Sequence, residues 1–289
     1  MANVIVFFLF CKFIYKYSFF DKMNKKEGVM MKQKKYFFFD IDGTLAVGTP
    51  GKQYIPESTK LALSKLKEAG HFLAIATGRS YAMARKHMED LGFENMVSDG
   101  GNGITIKRQL IEIKPLDYEK CLSLIDECEE KGFIWALSPD NETRRLAPDS
   151  RFYDFTHDIY MDTVVRPGLN PRDYDQIFKV YIACYSPEEE KLENLKNLPW
   201  CRFHKEYLFV EPGDKSIGIK AMVDHFGGDY KDVVVFGDEK NDLSMFRDEW
   251  TSIAMGNAID ELKEKATYVT TDVDQDGIWN ACKHFGWID

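Results

Sequence analysis

The chain contains 289 residues, of which 44% are hydrophobic, and these values are typical of a globular protein with one or two domains. The formal net charge of −9 at pH 7 argues against a nucleic acid or an anionic membrane surface as the partner, because both call for a basic face. The six cysteines include no Cys-x-x-Cys pair, which favours buried thiols in a reducing cytoplasm over disulfides or structural zinc.

Residues 1–31 are predicted to be an extension outside the folded domains. The apolar run from Val4 to Phe10 is too short to cross a bilayer, and Lys12 and Lys16 interrupt the sequence that follows it. The basic start and the small-residue cleavage site of a signal peptide are not evident. We expect this segment to be disordered or a translated upstream stretch; a weak membrane anchor is the alternative.

The first predicted strand ends in two carboxylates. The aromatic run 36–39 leads directly into Asp40-Ile41-Asp42-Gly43-Thr44, a pattern typical of a buried strand that reaches the carboxyl edge of a parallel sheet. The i, i+2 spacing places Asp40 and Asp42 side by side, and two close carboxylates repel unless a cation or a shared proton intervenes. The stretch therefore indicates a metal-dependent site, or alternatively a plain strand and turn that Asp42 caps.

A second predicted strand, 72–76, ends in Thr77-Gly78-Arg79-Ser80 and continues into a helix over 81–91. Before it, residues 47–56 are predicted to form a loop or small hairpin. A hydroxyl and a glycine ahead of a helix N-terminus can bind a phosphate, because the free N–H groups and the helix dipole favour an anion. An ordinary turn with a Ser or Thr cap explains the same residues, so both interpretations stay open.

The middle of the chain is predicted to be a separate module. Near Lys114 the alternation of strands and helices gives way to one helix, a strand and a region without clean periodicity, followed by a charged helix over 187–198 and further strands. A module of about ninety residues has a normal domain size. We therefore assign residues 32–114 and 206–289 to an α/β core with a parallel sheet, and residues 115–205 to a smaller inserted α+β domain.

The last third of the chain supplies a lysine and two more acids. Lys215 opens a predicted helix, and the apolar strand 233–236 that follows this helix ends in Gly237-Asp238-Glu239-Lys240-Asn241-Asp242, ahead of a further helix predicted to start at Leu243. Three predicted core strands therefore end in polar signatures. Each signature is weak or moderate alone, and their order along the chain is the specific feature.

This ordered set resembles the motifs of the haloacid-dehalogenase (HAD) superfamily of phosphotransferases. The chain is most similar to the Cof-type phosphatases, in which a cap is inserted between the second and third motifs. The resemblance covers residues 35–289 and leaves the first thirty residues outside it. It implies a Rossmann-like parallel-sheet core beneath a mobile α/β cap.

The resemblance also implies catalytic roles. Asp40 is expected to be the nucleophile that forms an aspartyl-phosphate, and Asp42 to be the general acid and then the general base. An aspartate at position 42 favours a phosphatase or a phosphomutase over the ATPase-like members, which carry a different residue there. The expected phosphate-binding groups are Gly43, Thr77, Gly78 and Lys215.

The implied cofactor is Mg²⁺, which prefers oxygen ligands. Its expected protein ligands are Asp40, the backbone carbonyl of Asp42, and Asp238. Asp242 is expected to act as a further ligand or through neighbouring groups, and Asn241 to orient the surroundings. A bound cation and Lys215 would let several acids coexist in an acidic protein.

We expect a cytoplasmic, Mg²⁺-dependent phosphatase for a small phosphorylated metabolite, with a sugar phosphate as the leading substrate, because a closing cap suits small substrates. Alternatives are a phosphatase for pyridoxal phosphate or flavin mononucleotide, a phosphomutase, and a catalytically idle phosphate-binding protein. Arg79 is interpreted as an ordinary surface arginine at a helix start rather than as a direct substrate contact. The cap residues Asp140, Asn141, Arg144 and Arg145 are interpreted as a substrate-reading cluster or as a solvated loop.

Overall fold

The computed structural model describes residues 33–49 and 52–289, and its elements belong to one compact unit, Lys34–Asp289. The predicted extension over residues 1–31 lies outside the described residues. No helix in the described part of the chain is long and apolar enough to span a membrane.

The described residues form fourteen strands and seven α-helices. The strands are β1 (Tyr36–Phe39), β2 (Phe72–Ala76), β3 (Asn95–Ser98), β4 (Gly103–Ile106), β5 (Gln109–Ile113), β6 (Ile134–Ser138), β7 (Arg144–Ala147), β8 (Asp162–Val165), β9 (Lys179–Ala183), β10 (Trp200–His204), β11 (Tyr207–Val210), β12 (Val233–Gly237), β13 (Thr251–Ala254) and β14 (Tyr268–Val269). The helices are α1 (Glu57–Glu68), α2 (Tyr81–Asp90), α3 (Tyr118–Lys131), α4 (Arg151–Thr156), α5 (Lys215–His225), α6 (Asp260–Lys265) and α7 (Gly277–His284).

The first sheet has the strand order β14-β13-β12-β1-β2-β3-β4-β5. It is parallel from β14 to β3, and β4 and β5 add an antiparallel edge. Strand β1 lies in the middle, hydrogen-bonded to β12 on one side and β2 on the other. The predicted α/β class with a parallel core sheet is confirmed, and residue 40 leaves this sheet at the centre of its carboxyl edge.

Both faces of β1 are buried, which explains its uninterrupted aromatic run. Phe37 and Phe39 pack in one apolar layer, which α1, α2 and α7 help to build, and Phe38 packs in the opposite layer beneath α5 and α6. Complete burial of such a side chain stabilises the fold by roughly 1.5–3 kcal/mol. A strand held this firmly on both faces gives the residue that follows it a fixed position.

The second sheet is built from the middle of the chain, in the order β10-β11-β9-β6-β7-β8. Helix α3 covers one face of it, with Leu122, Ile125 and Cys128 packed in a separate apolar cluster. The predicted boundary at 205/206 is wrong because it falls inside the antiparallel β10–β11 hairpin. The second sheet extends to Val210, and the error arose because the apolar β11 resembles a core strand in sequence.

Two predicted α-helices are short 3₁₀ helices instead. The segment predicted as a charged helix over 187–198 contains the 3₁₀ turns Glu188–Lys191 and Asn194–Asn197. Its buried leucines, Leu192, Leu195 and Leu198, are spaced by three residues, which suits the three-residue period of a 3₁₀ helix. Likewise, a 3₁₀ helix over Lys240–Met245 replaces the helix predicted to start at residue 243.

Candidate active site

The carboxyl edge of the first sheet brings four predicted site residues together. Asp40 follows β1, and its backbone N–H donates to the Phe236 carbonyl at 3.0 Å, which ties it to β12. Asp238 follows β12, Asp242 lies in the next 3₁₀ helix, and Lys215 begins α5. All four of these charged side chains are buried.

The ammonium of Lys215 lies between two of the acids. Its Nζ donates to Asp40 Oδ1 at 2.7 Å and to Asp242 Oδ1 at 2.5 Å, and the lysine side chain is only 1% exposed. Burial by itself would lower the pKa of Lys215, but the negative charges of Asp242 and Asp40 outweigh it and raise the pKa above its ordinary value. The lysine therefore stays charged.

Asp40, Asp238 and Asp242 form a compact set of oxygen donors. Each offers a carboxylate oxygen, and these oxygens lie within 4.8 Å of one another. Burial, together with the other carboxylates, raises the pKa of Asp40 to about 7 and that of Asp238 to about 9. With every group ionised, three carboxylates and the Lys215 ammonium would sum to a charge of −2. The hard oxygen donors and this charge deficit both fit a divalent cation.

Asp242 differs from the other two acids because hydrogen bonds already engage both of its oxygens. Oδ1 accepts from Lys215, while Oδ2 accepts from the backbone N–H groups of Asp238 at 2.8 Å and Glu239 at 3.1 Å. This arrangement fixes the turn that carries Asp238. The role of Asp242, as a ligand or through neighbouring groups, stays a prediction.

Gly43 makes room for Asp238. Its φ is +73°, in the left-handed region, and a Cβ atom on this residue would lie 2.0 Å from Asp238 Oδ2. Thr44 Oγ1 donates to Asp238 Oδ1 at 2.9 Å, and Asn257 Nδ2 donates to the Gly43 carbonyl at the same distance. The structure thus gives Gly43 a steric role beside the carboxylate cluster, and its contact with phosphate stays a prediction.

The side chain of Asp42 points away from the carboxylate cluster and towards Arg79. Arg79 Nε donates to Asp42 Oδ2 at 2.8 Å, and Nη2 donates to Oδ1 at 2.6 Å. Burial would raise the pKa of Asp42, but the hydrogen bonds and charge of Arg79, with a further hydrogen bond from Gln53, lower it. The interpretation of Arg79 as an ordinary arginine is therefore wrong. The sequence could not show that its side chain turns back across the sheet edge.

The Thr77-Gly78 turn is held from both sides. Thr77 Oγ1 accepts a hydrogen bond from the Arg79 N–H at 3.1 Å, and the Gly78 carbonyl accepts one from Lys179 Nζ at 3.3 Å. Lys179 belongs to β9 of the second sheet and forms a buried ion pair with Glu211. The second sheet therefore contacts the predicted phosphate-binding turn directly.

The N-terminus of α2 is already occupied by side chains. Its first three N–H groups donate to Asp99 Oδ2 at 3.0 Å, Asn141 Oδ1 at 2.9 Å and Ser80 Oγ at 3.4 Å. These N–H groups are not available to an anion, so the cap interpretation is the better of the two for this helix start. Phosphate contacts would have to come from Thr77 and Gly78 themselves.

The other predicted residues divide between core and cap. Asn241 is exposed, and its Nδ2 lies 3.4 Å from where a Cβ on Gly78 would be, so it borders the turn. In the cap, Arg145 is fully buried against the rings of Phe152 and Tyr181 and pairs with Asp158, which makes it structural. Arg144 pairs with Asp140 at 2.8 Å. Of the four predicted cap residues, Asn141 contacts the core through its hydrogen bonds to Ala82 and Asp99.

Sequence reasoning missed four residues around the site: Gln53, Lys179, Glu211 and Asn257. Glu211 carried a usable signal, because it opens the Glu-Pro-Gly-Asp-Lys stretch where the chain returns to the core. Asn257 follows a strand end in a Gly-Asn-Ala turn, the kind of position that supplied the other site residues. Gln53 and Lys179 carried none, since their contacts depend on how the hairpin and the second sheet lie.

Comparison with known proteins was consistent across sequence and structure. Residues 37–282 match the family described as haloacid dehalogenase-like hydrolase. The Bacillus subtilis protein named "Putative phosphatase YkrA" is 32% identical over 88% of this chain and 98% of its own length. The B. subtilis 5-amino-6-(5-phospho-D-ribitylamino)uracil phosphatase YwtE is 26% identical over 84% of this chain and 95% of its own. The solved structure of the HAD subclass IIB sugar phosphatase BT4131 superposes with a TM-score of 0.70 at 29% identity, over 88% of this chain and all of that one.

Proposed function

The chain belongs to the haloacid dehalogenase-like hydrolases and is a phosphatase, and from this premise we propose that it hydrolyses a small sugar phosphate with the help of Mg²⁺, through an aspartyl-phosphate intermediate. The observation that carries the proposal is the buried contact of Lys215 with Asp40, beside a cluster of carboxylates that fits a divalent cation.

Asp40 is the proposed nucleophile. Lys215 holds its Oδ1, which leaves the second oxygen to attack phosphorus, and burial keeps competing water away. The new bond joins this oxygen to phosphorus, and the bond between phosphorus and the leaving alcohol breaks. Lys215 also offers positive charge to the phosphoryl oxygens, while Thr77 and Gly78 are the proposed positioning groups on the next strand.

Asp42 is the proposed proton carrier. It gives a proton to the leaving alcohol in the first half of the reaction, and it takes one from the water that attacks the phosphorus of the aspartyl-phosphate in the second half. The second attack releases phosphate and restores the Asp40 carboxylate. The carboxylate of Asp42 lies outside the carboxylate cluster and its side chain is 45% exposed, so substrate and water can reach it.

Mg²⁺ is the proposed cation. Asp40, Asp238 and the backbone carbonyl of Asp42 would hold it, with Asp242 fixing the surrounding turn, and when bound it would neutralise charge on the transferring phosphoryl group. The high pKa of Asp238 supports this assignment, because a cation is what such a cluster needs to stay ionised.

The proposed substrate class rests on two relatives. BT4131 is named as a sugar phosphatase, and the substrate in the name of YwtE carries its phosphate on a ribityl chain. In both reactions the leaving group is an alcohol, which leaves poorly unless it receives a proton. An acid such as Asp42 therefore suits these substrates. Phosphorylated ribityl compounds, flavin mononucleotide and pyridoxal phosphate are the competing substrates.

The test is phosphate release by the full chain across hexose and pentose phosphates, pyridoxal phosphate, flavin mononucleotide and p-nitrophenyl phosphate, with Mg²⁺ or with EDTA. We expect Mg²⁺-dependent turnover that Asp40→Asn abolishes and that the exposed control Asp274→Asn retains. A near-normal rate for Asp40→Asn would remove it as the nucleophile. Folded protein that binds phosphate without turnover on any compound would favour an idle binding protein instead.

A further inference from the structure

The guanidinium group of Arg79 forms a bidentate ion pair with the carboxylate of Asp42. Two different nitrogens donate to the two different carboxylate oxygens, at 2.8 Å and 2.6 Å. A paired contact of this kind fixes the plane and direction of a carboxylate as well as its distance. The Arg79 side chain is only 12% exposed, whereas that of Asp42 is 45% exposed, so a molecule in solution can still reach the carboxylate.

Gln53 contacts both members of this ion pair. Its Nε2 donates to Asp42 Oδ1 at 2.6 Å, and its Oε1 accepts from Arg79 Nη2 at 2.9 Å. These contacts close a ring of three side chains. Gln53 lies in the small hairpin between β1 and α1, where Val47 pairs with Tyr54, so the ring joins this hairpin to the end of β2.

Arg79 also contacts the phosphate-binding turn through its backbone. Its N–H donates to Thr77 Oγ1 at 3.1 Å, while its side chain holds Asp42. One residue therefore sets the distance between a proposed phosphate ligand and the proposed acid. The acid must reach the leaving oxygen while the phosphoryl group rests on the turn, so this distance matters for the reaction.

We propose that Arg79, assisted by Gln53, is the positioning residue that aims the Asp42 carboxyl group at the leaving oxygen. The inference rests on the proposed function, because it needs Asp42 as the acid of a phosphatase. Without these hydrogen bonds, Asp42 can rotate among its side-chain rotamers and spends less time within reach of the substrate. The resulting loss of rate is larger for a leaving group that needs a proton more.

The experiment compares kcat/KM for two substrates in the full chain. One is the best sugar phosphate of the panel, whose alcohol needs protonation, and the other is p-nitrophenyl phosphate, whose phenolate leaves without it. Because kcat/KM reports formation of the aspartyl-phosphate, it isolates the step in which Asp42 gives its proton. We expect Arg79→Gln to lower the sugar-phosphate value by about tenfold to a hundredfold and the aryl-phosphate value less than about threefold.

Three further variants complete the design. Gln53→Ala should show the same pattern with a smaller effect, because Gln53 donates one hydrogen bond to Asp42 whereas Arg79 donates two. Arg79→Gln in an Asp42→Asn background should add nothing, as expected when two residues act through one group. Arg85→Gln is the matched control on α2, because Arg85 is 58% exposed and meets only Glu89 at 3.6 Å among the ion pairs of the described residues.

Equal losses on both substrates would overturn the inference, because they would mean that Arg79 binds the phosphoryl group itself or only supports the fold. Additive losses in the double variant would also overturn it. A wild-type protein that is inactive on both substrates would instead refute the proposed function, so the two failures are distinguishable.

Discussion

At the scale of single residues, Gly43 decides whether Asp238 can reach the carboxylate cluster. We predict that Gly43→Ala lowers Mg²⁺ affinity by roughly 10- to 100-fold, a loss typical of a disturbed ligand surrounding. The reason is steric, since the new methyl group would lie 2.0 Å from Asp238 Oδ2 and must push this carboxylate aside. Calorimetric titration of the full chain with MgCl₂ measures the effect without relying on turnover.

Gly70→Ala is the matched control for this change. Gly70 has φ +83° and nothing within 4 Å of the position of a Cβ, so alanine there carries the same kind of backbone strain without the clash. We expect a loss of stability of about 1 kcal/mol and an unchanged Mg²⁺ affinity. If Gly43→Ala also binds Mg²⁺ as the wild type does, Asp238 is not a ligand.

At the scale of elements, Glu127 ties α3 to the 3₁₀ helix Asn194–Asn197. Its carboxylate accepts hydrogen bonds from Lys131 Nζ at 2.6 Å and from the backbone N–H groups of Glu193 and Asn194 at 2.9 Å and 2.8 Å. Burial opposes the charge, but these hydrogen bonds outweigh burial and lower the pKa of Glu127 to about 2. The charged form therefore stabilises the cap.

We predict that Glu127→Gln destabilises the protein by about 1–3 kcal/mol at neutral pH. A glutamate has a pKa of about 4.3 when unfolded, so the contribution of Glu127 is complete above that pH and is lost as the pH falls towards 2. Urea unfolding at pH 7 and at pH 3 should thus show a difference between wild type and variant that shrinks in acid. Glu130→Gln, at an exposed position of the same helix, should show no such difference. A gap that does not change with pH would contradict the assignment.

The elements also show what sequence patterns can reveal. Strands β1, β2 and β12 were predicted from their apolar runs, because a strand buried on both faces leaves an unmistakable composition. The 3₁₀ turns at Glu188–Lys191 and Asn194–Asn197 were not, since a three-residue leucine spacing also fits one face of an α-helix. The end of the inserted sheet was misplaced because β11 carries no mark of the sheet to which it belongs.

At the scale of the whole molecule, the grouping of Asp40 and Asp238 could be predicted because parallel strands present their carboxyl ends at one edge. Lys215 begins α5, and its place beside Asp40 was predicted through the family resemblance. The partners of these residues could not. Arg79 meets Asp42 across 37 positions, and Lys179 meets Gly78 across 101. Such pairs depend on the path of a loop and on how one sheet packs beside another. No local sequence pattern encodes either of these.

The contact between the inserted domain and the core can be tested at Asn141, which links the inserted sheet to α2. Its Nδ2 donates to Asp99 Oδ1 at 2.8 Å, and its Oδ1 accepts from the Ala82 N–H at 2.9 Å. Asp99 is 3% exposed, and burial raises its pKa, so this carboxylate depends on the donors that surround it. Removing Asn141 would leave one acceptor and one donor without a partner at the junction.

We predict that Asn141→Ala speeds amide hydrogen exchange at Ala82 by about tenfold, which corresponds to about 1.4 kcal/mol of lost protection. Exchange in β1 should not change, because its amides lie in the middle of the first sheet. Glu142→Ala, one residue further along the same loop and exposed, is the matched control and should leave both regions as they are. Faster exchange in β1 as well would mean that Asn141 supports the whole fold. Unchanged exchange at Ala82 would mean that the cap loop does not hold α2 in solution.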